Sequence, residues 1–120
     1  MEKLIKIFIA LSDETSIRIV KLLIKKMCTI FELSEIMSKD EDYIKERLDK
    51  LIDVGIVSKI NDGKYEVFFV KNTNSIFDKF AKDVVNLLSG YFNSDKIILD
   101  DYQKARSINR DELFKRKNPQ

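Results

Sequence analysis

The chain has 120 residues, a length typical of one domain, and 44% of them are hydrophobic, enough to form a core. The absence of histidine excludes most zinc, copper and nickel sites and every histidine-dependent catalytic dyad or triad. With a single cysteine, no internal disulfide can form, so we expect a reducing, cytoplasmic setting. We identify neither a signal peptide nor an apolar run of the roughly 20 residues that cross a bilayer, so no membrane role is expected.

The net charge of +2 is unevenly distributed. Residues 104–117 contain six basic and two acidic side chains, so the remainder of the chain has a net charge of about −2. The basic character therefore lies in the C-terminal tail. Such a tail is either a solvated helix end or a segment that contacts phosphates.

The first three predicted helices have recognisable starts. Apolar residues at helical spacing predict a helix over residues 2–11. Ser12 is expected to cap the second helix, because the following Asp13 suits the positive end of the helix dipole. Thr29 and Glu32 have the spacing of a capping box and begin a short third helix.

The fourth helix starts after Ser38 or Asp40 and ends at Gly55, which tolerates a left-handed conformation. Together with the third helix it forms a helix-turn-helix. Apolar side chains on one face of the fourth helix are expected to point inward: Ile44, Leu48, Leu51 and Ile52. Two β-prone runs, residues 56–60 and 64–70, then flank an Asp-Gly turn, which predicts a β-hairpin, or wing.

The remaining pattern is again helical. Asn74 or Ser75 is expected to cap a long fifth helix that Gly90 ends, and a capping box beginning at Asn109 marks a last helical stretch. The predicted fold class is mainly α with a β-hairpin wing, a winged helix-turn-helix with about five to six helices. No phosphate-binding glycine loop and no nucleophile beside a base are found, so an enzyme is not expected.

Four segments, in the same order, resemble the ArsR/SmtB family of winged helix-turn-helix repressors. They are residues 11–19 (LSDETSIRI), 32–35 (ELSE), 48–57 (LDKLIDVGIV) and 63–69 (GKYEVFF). The resemblance covers about residues 4–90. It implies a homodimer that binds double-stranded operator DNA, represses transcription and dissociates when an inducer binds.

The resemblance also implies a division of the chain and two sets of contacts. Residues 1–92 would form the winged helix-turn-helix domain with its dimerisation helices, and residues 93–120 a C-terminal helical extension and basic tail. Dimer contacts from the first and fifth helices would come from Leu4, Phe8, Phe77, Phe80, Val84 and Leu88. If all of this apolar surface is instead monomer core, no dimer is needed. DNA contacts would come from Asp42, Tyr43, Lys45, Glu46, Arg47, Lys50, Lys59 and Lys64.

The reading helix is unusually acidic for this role. Residues 39–50 contain five acidic and four basic side chains, and carboxylates repel phosphates, although they can accept from the amino group of cytosine. Two functions therefore remain open. The chain is either a DNA-binding regulator or a winged-helix homodimer that acts as a protein-interaction module with weak or lost DNA binding.

The metal ligands of the family are missing from this sequence. Many members have a Cys-x-Cys pair at the start of the third helix, and the corresponding positions here are Thr29 and Phe31. We therefore predict no metal and no cofactor, and any inducer would be an unidentified small molecule. Cys28 is a candidate redox site because Lys25 and Lys26 lower the pKa of a nearby thiol. The simpler interpretation is a hydrophobic staple between Cys28 and Leu33 of the third helix.

Overall fold

Seven α-helices and one antiparallel hairpin make up residues 1–119, which are the residues that the computed structural model describes. The helices are α1 (Glu2–Ala10), α2 (Glu14–Lys25), α3 (Ile30–Met37), α4 (Glu41–Asp53), α5 (Lys79–Gly90), α6 (Lys96–Ser107) and α7 (Arg110–Lys117). The strands are β1 (Ser58–Asn61) and β2 (Glu66–Phe69), and a 3₁₀ turn spans Thr73–Ser75. The predicted fold class, mainly α with a β-hairpin, is confirmed. The C-terminal stretch forms two helices, which brings the helix count to seven.

Several local signals act as the sequence predicts. Thr29 and Glu32 form the capping box of α3, with the Thr29 Oγ1 accepting from the Glu32 N–H and the Glu32 Oε1 accepting from the Thr29 N–H. Gly55 follows α4 with a φ of +81°, and Gly63 turns the hairpin with a φ of +96°. Side chains other than glycine are strained in this left-handed region.

Two of the predicted caps are wrong. Asp13, not Ser12, caps α2 by accepting from the Ser16 N–H at 2.8 Å, while the Ser12 hydroxyl donates to the Ile9 carbonyl. Asp78 caps α5 by accepting from the Ala81 N–H at 3.0 Å, because a 3₁₀ turn occupies the residues where the cap was expected. Adjacent cap-forming residues look alike in sequence, and the packing of each helix decides which one is used.

The core lies between α2, α3 and α4. Their fully buried side chains include Ile19, Val20, Leu33, Ile44, Leu48 and Leu51. Each such side chain stabilises the fold by about 1.5–3 kcal/mol relative to an exposed position. Ile52, predicted to point inward, is half-buried at the edge of this core.

The hairpin is attached directly to the helix-turn-helix. Within it, β1 and β2 pair from Ser58↔Phe69 to Asn61↔Glu66. Phe68 exchanges two backbone hydrogen bonds with Cys28, at 2.8 and 3.1 Å, in the segment that leads into α3. These bonds determine where the wing stands relative to the two helices that it follows.

The C-terminal extension is packed on this domain, with α6 against α2 and α3 and α7 against α3. Arg18 of α2 makes a two-pronged ion pair with Asp101 of α6, at 2.8 and 2.9 Å. The buried Lys21 ammonium donates to the Leu88 and Tyr91 carbonyls, at the end of α5, and to the Asn93 side chain. Across residues 1–119, no helix is both long and apolar enough to cross a membrane.

Candidate nucleic-acid interface

The outer face of α4 is the surface that a helix-turn-helix presents to the major groove. The apolar stripe of α4 is buried against α2 and α3, and this fixes which residues point outward. Among the predicted contact residues, Asp42, Lys45, Glu46 and Lys50 are exposed there. The remaining α4 candidates, Tyr43 and Arg47, are half-buried.

Tyr43 and Arg47 connect α4 to α2. The Arg47 guanidinium lies over the Tyr43 ring, 4.6 Å from its centroid, and also donates to the Tyr43 hydroxyl at 3.3 Å. Its Nε is 2.9 Å from the carboxylate of Asp13. Burial of Asp13 opposes ionisation, but hydrogen bonds from Ser16 and the charges of Arg47 and Lys50 outweigh it, so the pKa of Asp13 is lowered. Arg47 therefore links α4 to the N-terminal end of α2.

All four predicted lysine contacts have an acidic partner within the protein. Lys45 pairs with Asp49 at 3.1 Å and Lys50 with Glu46 at 3.6 Å. On the wing, the pairs are Lys59–Glu66 at 3.7 Å and Lys64–Asp111 at 3.0 Å. Exposed ion pairs of this kind contribute only about 0–1 kcal/mol each. The lysines can therefore exchange a carboxylate for a phosphate at low cost.

The basic tail is a folded helix that braces the wing. Arg110 pairs with the buried Glu32 of α3 at 2.8 Å and lies 3.8 Å from Asp62 in the hairpin turn. Asp111 accepts hydrogen bonds from the Tyr65 hydroxyl and from the Lys64 ammonium. These contacts hold α7 between α3 and the hairpin. An aromatic cluster completes the junction, with ring centroids 5.4–5.6 Å apart: Phe31, Tyr65 and Phe114.

Half of the basic residues of the tail face α3. Arg116 and Lys117 lie 3.6 and 3.9 Å from Glu35, in addition to the Arg110 pair. The other three are exposed and have no carboxylate within 4.0 Å in the described part of the chain: Lys104, Arg106 and Lys115. The tail side chains that are open to phosphate contact are therefore these three and Arg116, which is 70% exposed despite its pair with Glu35.

Cys28 is fully buried. Burial, together with the nearby Glu32 charge, raises the pKa of the Cys28 thiol to about 12. Lys26 does lower this pKa, as expected, but the loss of hydration outweighs its charge, so the expected net lowering is wrong. Cys28 and Leu33 lie in the same core cluster, as the staple interpretation requires.

Within residues 1–119, no group of three or more Cys, Asp or Glu side chains is placed to hold a metal ion.

The predicted dimer residues are found in different environments. Phe8 and Phe80 are 61% and 44% exposed, and Phe77 is fully exposed, while Leu4 and Val84 are half-buried. Leu88 is only 6% exposed, because it packs in the core of the chain itself, so it is not available for contact with a second copy. The sequence interpretation missed five further exposed apolar residues on α1, on α5 and just after α5: Ile5, Ile9, Leu87, Tyr91 and Phe92. Because α1 packs beside α5, we define the exposed apolar side chains of both helices as the α1–α5 face.

Comparison with known proteins supports the architecture. No protein-family model matches the chain, and no curated protein sequence matches it. Among solved structures, the chain is similar to reduced HlyU from Vibrio cholerae N16961, with a TM-score of 0.61 and 17% sequence identity. The similarity covers 77% of this chain and 90% of HlyU, a winged-helix transcriptional regulator of the SmtB/ArsR family. At this identity the match concerns the fold, and the fold of this chain is a winged helix.

Proposed function

We propose that this chain is a DNA-binding transcriptional regulator, acting as a repressor of the ArsR type without that family's usual metal ligands. The observation that carries the proposal is the arrangement of α3, α4 and the hairpin in the winged-helix fold shared with HlyU. In this arrangement α4 has an exposed outer face, and the wing, which follows α4 in the chain, is hydrogen-bonded to Cys28 at the start of α3.

The chemistry of α4 separates positioning from base recognition. Lys45 and Lys50, with Lys59 and Lys64 of the wing, would exchange their carboxylate partners for DNA phosphates, which sets the register on the duplex. Asp42 and Glu46 would accept from cytosine amino groups at base edges. Such contacts would favour operator sequences with a cytosine at each base pair that Asp42 or Glu46 reaches in the major groove.

The proposed regulator is a homodimer formed through the α1–α5 face. Exposed aromatic rings such as Phe8 and Phe80 are costly in water, and burial against a second copy would remove that cost. A two-fold dimer would place its two α4 helices in successive major grooves, about 34 Å apart. Its operator would then be a palindrome with half-sites one helical turn apart.

A mobility shift with the DNA upstream of the chain's own gene, at 100 mM salt and with competitor DNA, tests this function. The wild-type chain is expected to form a specific complex. A variant with Lys45, Lys59 and Lys64 changed to glutamate should form none, while the control Lys96→Glu, an exposed lysine on α6, should bind normally. Absence of any specific complex with the wild-type chain would refute the proposal.

A second candidate function is a winged-helix homodimer that binds proteins. The observation in its favour is that acidic side chains pair with every lysine of the predicted DNA-binding set. Under this alternative, the wild-type chain would bind the upstream duplex and a scrambled duplex equally weakly, because only sequence-independent attraction to phosphates would remain.

A further inference from the structure

A cleft of about 540 Å³ lies on the side of the molecule where the turn between α1 and α2 meets the start of α6. Its volume is within the range of about 300–1,000 Å³ that small-molecule sites occupy. Leu11 and Ile17 contribute one apolar wall, and Ile97 and Ile98 contribute the other. The ring of Phe92, which is half exposed, borders the opening. The cleft can therefore accommodate the apolar body of a small ligand.

The polar groups of the cleft are mostly negative. Asp13, Glu14 and Asp95 all line it. Arg18 is the cationic side chain that lines it, and Asp101 already neutralises Arg18 through a two-pronged pair at 2.8 and 2.9 Å. Arg47 pairs with Asp13, whereas Glu14 and Asp95 have no cationic partner within 4.0 Å among residues 1–119. The cleft thus combines apolar walls with a net negative charge, a combination that favours positively charged ligands over neutral or anionic ones.

We propose that this cleft binds an organic cation, a small molecule with an apolar body and a protonated amine or quaternary ammonium group. The apolar body would lie against the isoleucine side chains, and the cationic group would lie among the three carboxylates. In the free protein one of those carboxylates, that of Asp13, also pairs with Arg47 of α4 at 2.9 Å.

The Asp13 contact links the cleft to α4. A cation bound near Asp13 competes with Arg47 for the same carboxylate, so binding weakens the contact that orients Arg47 and Tyr43 on the reading helix. Because coupling between two ligands is reciprocal, DNA that requires the Arg47–Asp13 contact would weaken cation binding by the same factor by which the cation weakens DNA binding. The effect on DNA release rests on the proposed function, whereas cation binding and its coupling to Arg47 do not.

Isothermal titration calorimetry on the full chain without DNA tests the cleft directly. The probes are 4-phenylbutylammonium and its neutral counterpart 4-phenylbutan-1-ol at pH 7. We expect the ammonium to bind one per chain and at least about fivefold more tightly than the alcohol, since the carboxylates attract only the charged probe. Equal affinities for the two probes, or no saturable binding of the ammonium, would overturn the proposal.

Conservative variants identify the site. The double variant Glu14→Gln and Asp95→Asn should weaken ammonium binding about fivefold and leave alcohol binding unchanged. Its fold should be retained, because asparagine can replace Asp95 as the N-cap that accepts from Ile97, and Glu14 is exposed. The matched control Asp100→Asn, on the same helix but outside the cleft, should bind both probes normally. Equal weakening by the control would contradict the assignment.

The coupling has its own measurement. Replacing Arg47 by methionine leaves Asp13 without its partner in α4, so ammonium affinity should rise about two- to fivefold. Alcohol affinity should stay the same. If Arg47→Met leaves ammonium affinity unchanged, the cleft is not coupled to α4. If the ammonium binds as expected but the chain binds no DNA, the site stands and the proposed function fails.

Discussion

Replacing Arg18 by methionine should strongly destabilise the protein, because it leaves a buried carboxylate without its partner. The Arg18 guanidinium donates through Nε and Nη2 to the two carboxylate oxygens of Asp101. Asp101 is 1% exposed, so water cannot replace the lost hydrogen bonds without opening the contact between α2 and α6. Methionine retains most of the apolar length of the arginine and therefore isolates the loss of charge.

The expected loss in the free energy of unfolding is about 3–5 kcal/mol, the range found when one partner of a buried ion pair is removed. Solvent screening reduces this expected loss only slightly, because the Arg18 side chain is itself only 11% exposed. Small domains have a total stability of about 5–15 kcal/mol, so the change consumes a large part of it. A fall in Tm of about 10 °C or more should accompany it.

Urea unfolding, followed by circular dichroism at pH 7, measures this effect. The control Lys96→Met removes the exposed pair with Asp100 on the same helix and should cost no more than about 0.5 kcal/mol. The double variant Arg18→Met and Asp101→Leu should recover a large part of the loss, because neither charge is then left buried alone. A loss below about 1 kcal/mol for Arg18→Met, or strictly additive effects in the double variant, would refute the reasoning.

Three further predictions concern the dimer, the wing and the thiol. Changing Phe8 and Phe80 to lysine should convert a dimer to a monomer in sedimentation, while Ile60→Lys on the wing should not; a monomeric wild type would contradict the α1–α5 interface. Hydrogen bonds from Tyr65 and Lys64 lower the pKa of Asp111 from its ordinary 3.8. The free energy of unfolding of the wild type should therefore exceed that of Asp111→Asn above about pH 4, and this difference should be lost as the pH falls further. A difference that does not depend on pH would contradict a stabilising contact between Asp111 and the hairpin. Because burial raises the pKa of Cys28 to about 12, Ellman's reagent at pH 8 should react far more slowly with the native than with the denatured chain; equal rates would show an accessible thiol.

Local chemistry explains why much of the fold could be predicted from the sequence. The Thr29 capping box and the turn at Gly63 depend on residues close together in the chain, so their spacing alone identifies them. The caps at Asp13 and Asp78 were missed because each lies beside other residues that cap equally well. Leu88 was wrongly predicted to lie in the dimer interface. Helical periodicity shows that a residue is on an apolar face of its helix but does not show which surface covers that face.

The candidate site was less predictable because its electrostatics depend on long-range pairs. Lys64 meets Asp111, and Arg110 meets Glu32, across 47 and 78 residues of sequence. The sequence shows a basic tail, but only the fold shows that half of its basic side chains pair with carboxylates of α3. The Arg47–Asp13 contact, which links the cleft to the reading helix, likewise requires α2 and α4 to be packed together.

The salt dependence of DNA binding tests the central claim most directly. Fluorescence anisotropy with a labelled duplex from upstream of the gene, titrated between 50 and 200 mM salt, gives the number of phosphates neutralised. If Lys45, Lys59 and Lys64 each contact one phosphate, changing all three to glutamine should reduce the slope of log K against log salt by about 2.7. An unchanged slope, with equal affinity for the upstream duplex and for a scrambled one, would contradict the assignment of α4 and the wing as a DNA-binding surface.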